Sequence, residues 1–220
     1  MIRTDLSRRH FIGASAGVVG ALTLTTAGEA AAAPADGRTW STGRSANGWP
    51  VLRTAESFRI EGSDRTVRLA GGDAATVLLH VARRFHYEID SLRSGDVHGW
   101  TDDREVKADY ESNHLSGTAI AIRRLDYPVG SKGNLYPNEL IVVRDILTEL
   151  DGIVAWGGDF TTPKESHFEI AVRPGHPRLK GVARKIRRWE TGPGDEGAGA
   201  IDAFDPRRRR AVRAFQRRAS

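Results

Sequence analysis

The chain has 220 residues, a formal charge of +5 and no cysteine, which excludes disulfide frameworks and thiolate metal sites. Any metal must therefore bind to His, Asp or Glu. Hydrophobic residues make up 39% and charged residues 28%, as in soluble globular proteins. Much of the positive charge lies in one C-terminal arginine run. The body is thus close to neutral, and no nucleic-acid partner is predicted.

The first 35 residues have the pattern of an export signal. Residues 7–12 (SRRHFI) precede an apolar stretch of small residues over 12–27, and Ala33-Pro34-Ala35 forms a small-residue cleavage site. The arginine pair resembles the twin-arginine signal, whose pathway carries folded proteins. The apolar stretch is shorter than the roughly 20 residues of a membrane span. We expect cleavage, no transmembrane anchor afterwards, and a periplasmic, cell-wall or extracellular location.

Residues 36–47 are rich in Gly, Ser and Thr and are predicted to be a linker to a domain over residues 48–190. Strands are predicted at 51–53 and 57–60. A helix should begin at Asp73, whose carboxylate can act as the N-cap. One face of that helix should pack on a sheet, because its apolar residues repeat with a period of 3.6, namely Ala74, Val77, Leu78, Val81, Ala82 and Phe85.

Helices and strands are mixed along the rest of the chain. A second helix is predicted over 137–150, and strands are predicted over 87–92, 118–124, 153–156 and 167–172. The order has no regular βαβ alternation, which favours an α+β fold. We expect a single compact domain with an antiparallel sheet packed by helices, and a monomer.

Two segments carry the residues suited to catalysis. Residues 111–120 (ESNHLSGTAI) place His114 before a turn glycine and a strand of small residues. Residues 156–169 place His167 at the start of a strand, after the pair Gly157-Gly158. Two histidines on adjacent strands can hold Zn²⁺, with a carboxylate completing the site. The alternative is a pair of hydrogen-bonded structural histidines, which is also the role predicted for His80 and His86.

These motifs resemble a known peptidase family. The pattern Ser-x-His-x-x-Gly-x-Ala at 112–119, then Trp-Gly-Gly-Asp at 156–159 and His-Phe-Glu at 167–169, is similar to zinc D-alanyl-D-alanine carboxypeptidases of VanY type. That family also includes VanX-like dipeptidases and phage L-alanyl-D-glutamate endolysins. The resemblance covers about residues 48–190. It implies an α+β domain whose zinc is held by two histidines, here His114 and His167, and one aspartate, and which cuts peptidoglycan stem peptides.

Two positions depart from the family pattern. The aspartate ligand would stand at residue 121, which is Ala121, and the general base would stand at residue 164, which is Lys164. Glu165 lies one residue later, and its carboxylate is predicted to take the proton of the attacking water. Asp126 and Asp159 are both candidates for the missing ligand, and nothing in the sequence selects between them.

Three further residues are predicted to lie at the substrate site. Ser112 should shape the turn beside His114. Asp159 belongs to the Trp-Gly-Gly-Asp motif, where holding the loop and binding substrate are both open. Arg104 can pair with a substrate carboxylate, although most exposed arginines are solvated loop charges.

Residues 201–220 follow a Gly-rich linker over 191–200 and form a basic tail. Part of the tail is similar to the Asp-Gly-x-Phe-Gly-Pro…Ala-Val-x-x-Phe-Gln motif of a small peptidoglycan-binding domain. A remnant of that domain, a short helix docked on the main domain and a chance match all remain open. So does a solvated tail attracted to anionic wall polymers through Arg207–Arg218.

Two functions follow from these observations. The first is an exported zinc peptidase acting on peptidoglycan stem peptides, of D-Ala-D-Ala carboxypeptidase or L-Ala-D-Glu endopeptidase type. The second is a non-catalytic relative that binds the wall or regulates a partner. The two histidines, Glu165 and Glu169 favour the peptidase, whereas Ala121 and Lys164 favour the non-catalytic protein.

Overall fold

The structure is a computed structural model that describes residues 37–191 and 201–219. The export signal predicted over 1–35 and residues 192–200 of the predicted Gly-rich linker lie outside the described residues. The described part contains eight strands and four helices, which are, in chain order, β1 (Arg38–Thr39), β2 (Glu56–Arg59), β3 (Thr66–Leu69), α1 (Asp73–Glu88), β4 (Val97–His98), β5 (Glu105–Val106), β6 (Ala119–Ile122), α2 (Pro137–Glu149), β7 (Val154–Trp156), β8 (His167–Ile170), α3 (Pro177–Thr191) and α4 (Pro206–Ala219).

A four-stranded antiparallel sheet lies at the centre of the fold, with strand order β4-β6-β8-β7. Two small antiparallel pairs, β1 with β5 and β2 with β3, stand beside it. Helices pack against these sheets in one compact unit. The predicted class, a single domain of helices and small antiparallel sheets, is confirmed.

The main core lies between α1 and one face of the central sheet. Val77, Leu78 and Val81 of α1 are fully buried, as are Ile120 and Phe168 of the sheet. Burying each such side chain contributes about 1.5–3 kcal/mol. Side chains alternate along a strand, so the other face of β6 and β8 carries Ala119, Ala121, His167 and Glu169. Packing in this core fixes the positions of β6 and β8, the strands that contain Ala121 and His167.

The predicted strands over 87–92 and 51–53 are wrong. Helix α1 continues to Glu88, and the backbone N–H groups of Ile89 and Asp90 still donate to Phe85 O. Residues 51–53 make isolated backbone hydrogen bonds instead of a ladder, since the N–H groups of Val51 and Leu52 donate to two separate loops. The N-cap of α1 is Gly72, not Asp73.

The predicted linker over 36–47 differs from the structure. Trp40 and Ser45 are buried, and Ser45 Oγ donates to Ser116 Oγ at 2.9 Å. The Asn47 Nδ2 group donates to Thr118 Oγ1 at 2.8 Å and to Ile170 O at 3.0 Å. The small polar residues that suggested a linker instead fasten this segment to the turn before β6.

Helix α3 was not predicted from the sequence, because six of its fifteen residues are Lys or Arg. Its buried residues keep helical spacing, namely Leu179, Val182, Ala183 and Ile186.

The tail forms α4, and of its predicted alternatives the structure has the short helix docked on the main domain. Val212 is buried, and Arg208 reaches Asp145 of α2. No helix among the described residues is long and apolar enough to cross a membrane.

Candidate metal centre

The rings of His114 and His167 meet beside the central sheet. His114 ends a 3₁₀ turn over Asp109–His114, and His167 opens β8. Their ring centroids are 5.2 Å apart in an edge-to-face arrangement, and both side chains are buried. The turn after His114 requires Gly117, whose φ is +65° and where a Cβ would lie 2.5 Å from Ala70 N. The motif residues therefore place two imidazoles in contact.

Each of these rings has one nitrogen held by an oxygen. His114 Nδ1 lies 2.9 Å from Gly99 O, and His167 Nε2 lies 2.8 Å from Glu169 Oε2. A carbonyl or carboxylate oxygen only accepts, so the proton of each neutral ring is assigned to that nitrogen. Asn113 Nδ2 also donates to Glu169 Oε2, at 2.7 Å. The opposite nitrogens, His114 Nε2 and His167 Nδ1, are buried and have no hydrogen-bond partner among the described residues.

These imidazoles are held in the neutral form. Burial lowers the pKa of His114 well below its usual value. Burial also lowers the pKa of His167, although its hydrogen bond to Glu169 opposes the shift. A third ring, His98, lies 5.0 Å from the His114 ring. Burial and the charges of Arg124 and Lys164 lower its pKa to about 4. Metal ions bind the neutral imidazole, so no proton competes at neutral pH.

The two orphaned nitrogens fit a zinc ion. A zinc-binding histidine typically donates its other N–H to a carboxylate or a backbone carbonyl, and both arrangements occur here. Residue 121 offers no donor, because it is an alanine. Among residues 37–191 and 201–219, no group of three or more His, Cys, Asp or Glu side chains stands ready to hold a metal ion. The centre therefore offers two donors in this conformation.

Glu165, the predicted base, is hydrogen-bonded to a different part of the chain. Its Oε1 accepts from Gly133 N at 2.8 Å, and its Oε2 accepts from Asn134 N at 2.8 Å and from Asn134 Nδ2 at 3.1 Å. The side chain is buried. These three bonds tie β8 to the loop before α2. The role of Glu165 as base stays a prediction, and it requires the carboxylate to leave these donors.

Lys164 and Glu111 form an ion pair at the position where the family pattern has its base. Lys164 Nζ donates to Glu111 Oε1 at 2.7 Å, and both side chains are largely buried. Burial raises the pKa of Glu111, but the charge of Lys164 outweighs it and the pKa is lowered. Glu111 belongs to the same segment as His114, which is the one signal that could have identified it from the sequence.

The remaining predicted substrate residues have structural contacts. Ser112 Oγ donates to Asp109 O at 2.6 Å and accepts from Ala46 N at 2.9 Å, which fixes the turn before His114. Arg104 Nη1 donates to Trp40 O at 2.9 Å and borders a cavity whose lining excludes His114 and His167.

The two predicted candidates for the third ligand are both in ion pairs. Asp126 Oδ2 accepts from Arg123 Nε at 2.9 Å. Asp159 forms a two-pronged pair with Arg144, in which Nη2 and Oδ1 are 2.6 Å apart. Neither carboxylate is therefore free to serve as a ligand in this conformation.

A groove of about 720 Å³ opens beside His167, within the size range of small-molecule sites. Glu169 lies in its lining together with Tyr110 and Phe160, whose rings are 4.8 Å apart. The Tyr110 ring also lies 4.8 Å from the His167 ring. Asp109, Asp159 and the exposed Lys107 complete the part of the wall that carries charge. The groove is thus separated from the His167 ring by Tyr110 and Glu169, and it has room for a short peptide.

No protein-family model, curated protein or solved structure matches this chain. The likeness to zinc D-alanyl-D-alanine carboxypeptidases therefore depends on the sequence motifs alone.

Proposed function

We propose that this chain is an exported zinc-dependent peptidase that cuts amide bonds in peptidoglycan stem peptides, with a D-Ala-D-Ala carboxypeptidase-like domain. One observation carries the proposal. Two buried imidazoles in edge-to-face contact each leave an unprotonated nitrogen without a partner among the described residues. Buried polar atoms in native structures nearly always have a partner, so a pair of orphans in one place points to a missing ligand.

His114 and His167 would hold the zinc ion. Bound zinc would polarise a substrate carbonyl and lower the pKa of a water molecule to near neutrality. Gly99 O and Glu169 fix the tautomer and the orientation of the two rings. Asn113 in turn holds the Glu169 carboxylate in place.

The groove beside His167 is the proposed binding site for the stem peptide. Tyr110 OH donates to Thr162 O at 3.1 Å, which holds the tyrosine ring against the loop that carries Phe160. These two aromatic side chains form an apolar part of the groove wall. Lys107 supplies an exposed cation for a carboxylate of the peptide.

Hydrolysis also requires a group that takes a proton from water. Glu165 is the proposed base, provided that substrate binding frees its carboxylate from Gly133 and Asn134. Glu111 is the alternative, because it is ionised beside the histidines and its charge acts on the pKa of both His98 and His167. Its ion pair with Lys164 holds it in place.

A second function is a wall-binding or regulatory module without catalysis. The ion pair of Lys164 with Glu111, together with Ala121, favours it, because the residues that would act as base and third ligand are replaced. The exposed arginines of α4 would serve either function by attracting anionic wall polymers, namely Arg207, Arg210, Arg213, Arg217 and Arg218.

The first test is the zinc content of the purified protein, measured by inductively coupled plasma mass spectrometry. We expect close to one zinc per chain, and its loss in the double variant His114→Ala, His167→Ala. The control is His176→Ala, since His176 lies at the start of α3 and its ring is near Arg178 N instead of the site.

The second test is hydrolysis of a synthetic stem pentapeptide, followed by mass spectrometry. Release of D-Ala or cleavage between L-Ala and D-Glu, abolished by the double variant, would support the peptidase. Loss in Glu165→Gln or in Glu111→Gln would identify the base. If the protein binds zinc and is retained on purified peptidoglycan but cleaves nothing, the non-catalytic module is favoured. If the protein contains no zinc, the proposed peptidase function is rejected.

A further inference from the structure

Three histidines surround the alanine at residue 121. In the ladder of the central sheet, Ala121 pairs with His98 of β4 on one side and with His167 of β8 on the other. Residues paired directly across antiparallel strands project from the same face. The two histidines therefore flank a single methyl group on the face that His114 covers.

Two of the three ring separations match those of imidazoles around one metal ion. The His114 ring lies 5.0 Å from the His98 ring and 5.2 Å from the His167 ring. Two imidazoles that share a tetrahedral zinc have centroids roughly 5 Å apart, because each Zn–N bond is about 2.0–2.1 Å long. His114 is thus at a suitable distance from both neighbours.

Apart from His114 and His167, His98 is the one described side chain near this centre whose metal-binding atoms make no hydrogen bond or ion pair. Glu169 holds His167 and Asn113, and Glu111 is paired with Lys164. The half-buried His98 ring contacts the His114 ring and has no hydrogen bond among the described residues. Turning this ring therefore breaks no hydrogen bond among the described residues.

We propose that His98 is the third protein ligand of the metal, in place of the aspartate that would stand at residue 121. This inference rests on the proposed zinc site at His114 and His167. Among the described residues, no three potential ligands are already arranged around a metal position. His98 therefore completes the site only after its side chain rotates when the metal binds. The side chain between the two rings, that of Ala121, is a single methyl group.

The test is the zinc affinity of His98→Ala, measured on the full chain by competition with a chromogenic chelator. Loss of an outer partner of a metal ligand costs 10–100-fold in affinity, so we expect loss of the ligand itself to cost more than about 100-fold. Co²⁺ in place of zinc supplies a second readout, because its visible absorption reports the number and type of ligands. Its spectrum should change in His98→Ala and not in the control His176→Ala.

A rescue variant separates ligation from a structural role. Adding Ala121→Asp to His98→Ala places a carboxylate on the same sheet face, and zinc affinity should recover. His98→Gln is the isosteric substitute should the alanine variant fail to fold, as judged by circular dichroism. It should also lower the affinity, because an amide is a poor zinc donor.

The outcomes distinguish this inference from the function on which it rests. If the native protein binds zinc and His98→Ala binds it as tightly as His176→Ala does, the role of His98 is overturned and the site at His114 and His167 stands. If the native protein binds no zinc, both fall.

Discussion

Two polar clusters of this protein differ in whether their buried polar atoms have hydrogen-bond partners. The arginine cluster, formed by Arg84, Glu88, Asp145, Glu149 and Arg208, joins α1, α2 and α4. All three guanidinium nitrogens of the fully buried Arg84 donate to carboxylates. The histidine cluster, formed by His98, His114 and His167, keeps two ring nitrogens without a partner among the described residues.

This contrast in hydrogen-bond pairing indicates which cluster is structural and which is functional. The sequence places complementary charges where helices must be joined, so the orphaned nitrogens do not reflect a general lack of polar partners. Fully paired ionic networks fix a conformation, although they contribute little net stability. Unpaired buried polar atoms persist where something else supplies the partner. The arginine cluster therefore has a structural role, and the proposed ligand site is the histidine cluster.

The largest expected effect is that of Arg84→Met. It leaves the carboxylates of Glu88, Asp145 and Glu149 buried with less positive charge, and removing one partner of a buried ion pair costs about 3–5 kcal/mol. Urea unfolding followed by circular dichroism measures the loss. A decrease below about 1 kcal/mol would show that the cluster is better solvated than its burial indicates.

Acid should weaken the arginine cluster in a defined pH range. Burial raises the pKa of Glu149, but the hydrogen bond from His80 and the charge of Arg84 outweigh it and lower the pKa to about 2. Because the folded state favours the ionised carboxylate, this contribution is complete above the ordinary pKa near 4.5 and is lost as the pH falls towards 2. The total is about 3 kcal/mol.

The check is the slope of unfolding free energy against pH in Glu149→Gln. The slope between pH 4.5 and 2 should be smaller than in the native protein. Asp64→Asn serves as a control for the loss of one acidic side chain, because Asp64 is exposed and lies outside the arginine cluster. Equal slopes in all three proteins would contradict the assignment to Glu149.

Zinc should stabilise the protein through the histidine cluster alone. A ligand present at 100 times its Kd and absent from the unfolded state adds about 2.7 kcal/mol. The gain should vanish in His114→Ala, His167→Ala. It should persist in Arg84→Met, because the two clusters involve different side chains. Thermal unfolding with and without zinc tests this, and a gain that survives the double variant would break the contrast between the clusters.

The smallest effect is expected where a charge pair is exposed. Arg59 and Asp64 lie 3.5 Å apart with most of each side chain in solvent. Such pairs contribute about 0–1 kcal/mol. Arg59→Met should change the unfolding free energy by less than about 0.5 kcal/mol, which makes it the matched baseline for Arg84→Met.

The sequence predicted the elements whose pattern is strong and local. Helices α1 and α2 follow from the spacing of their apolar residues, and β6, β7 and β8 from short apolar runs. The glycines of the motifs also indicated where segments of the chain come close together. Gly157 allows the backbone at Lys164 to approach it. A Cβ at Gly157 would lie 2.3 Å from Lys164 O.

Other features depend on tertiary contacts that no local pattern encodes. His98 belongs to a strand of two residues, and only its register against Ala121 places it beside His114. Lys164 and Glu165 are adjacent, yet their side chains reach different partners, Glu111 and the loop at Gly133. A shift of one residue therefore does not carry the carboxylate of Glu165 to the position of Lys164.

The pairing of β6 with β8 also determines when the metal can be acquired. His114 and His167 belong to separate segments that meet only after the central sheet has closed. An unfolded chain holds these nitrogens apart and binds zinc weakly. The metal ions available in the compartment where the chain folds would then determine which ion fills the site. If export carries the folded protein, the supply of zinc inside the cell, not the supply at the wall, decides how the site is filled.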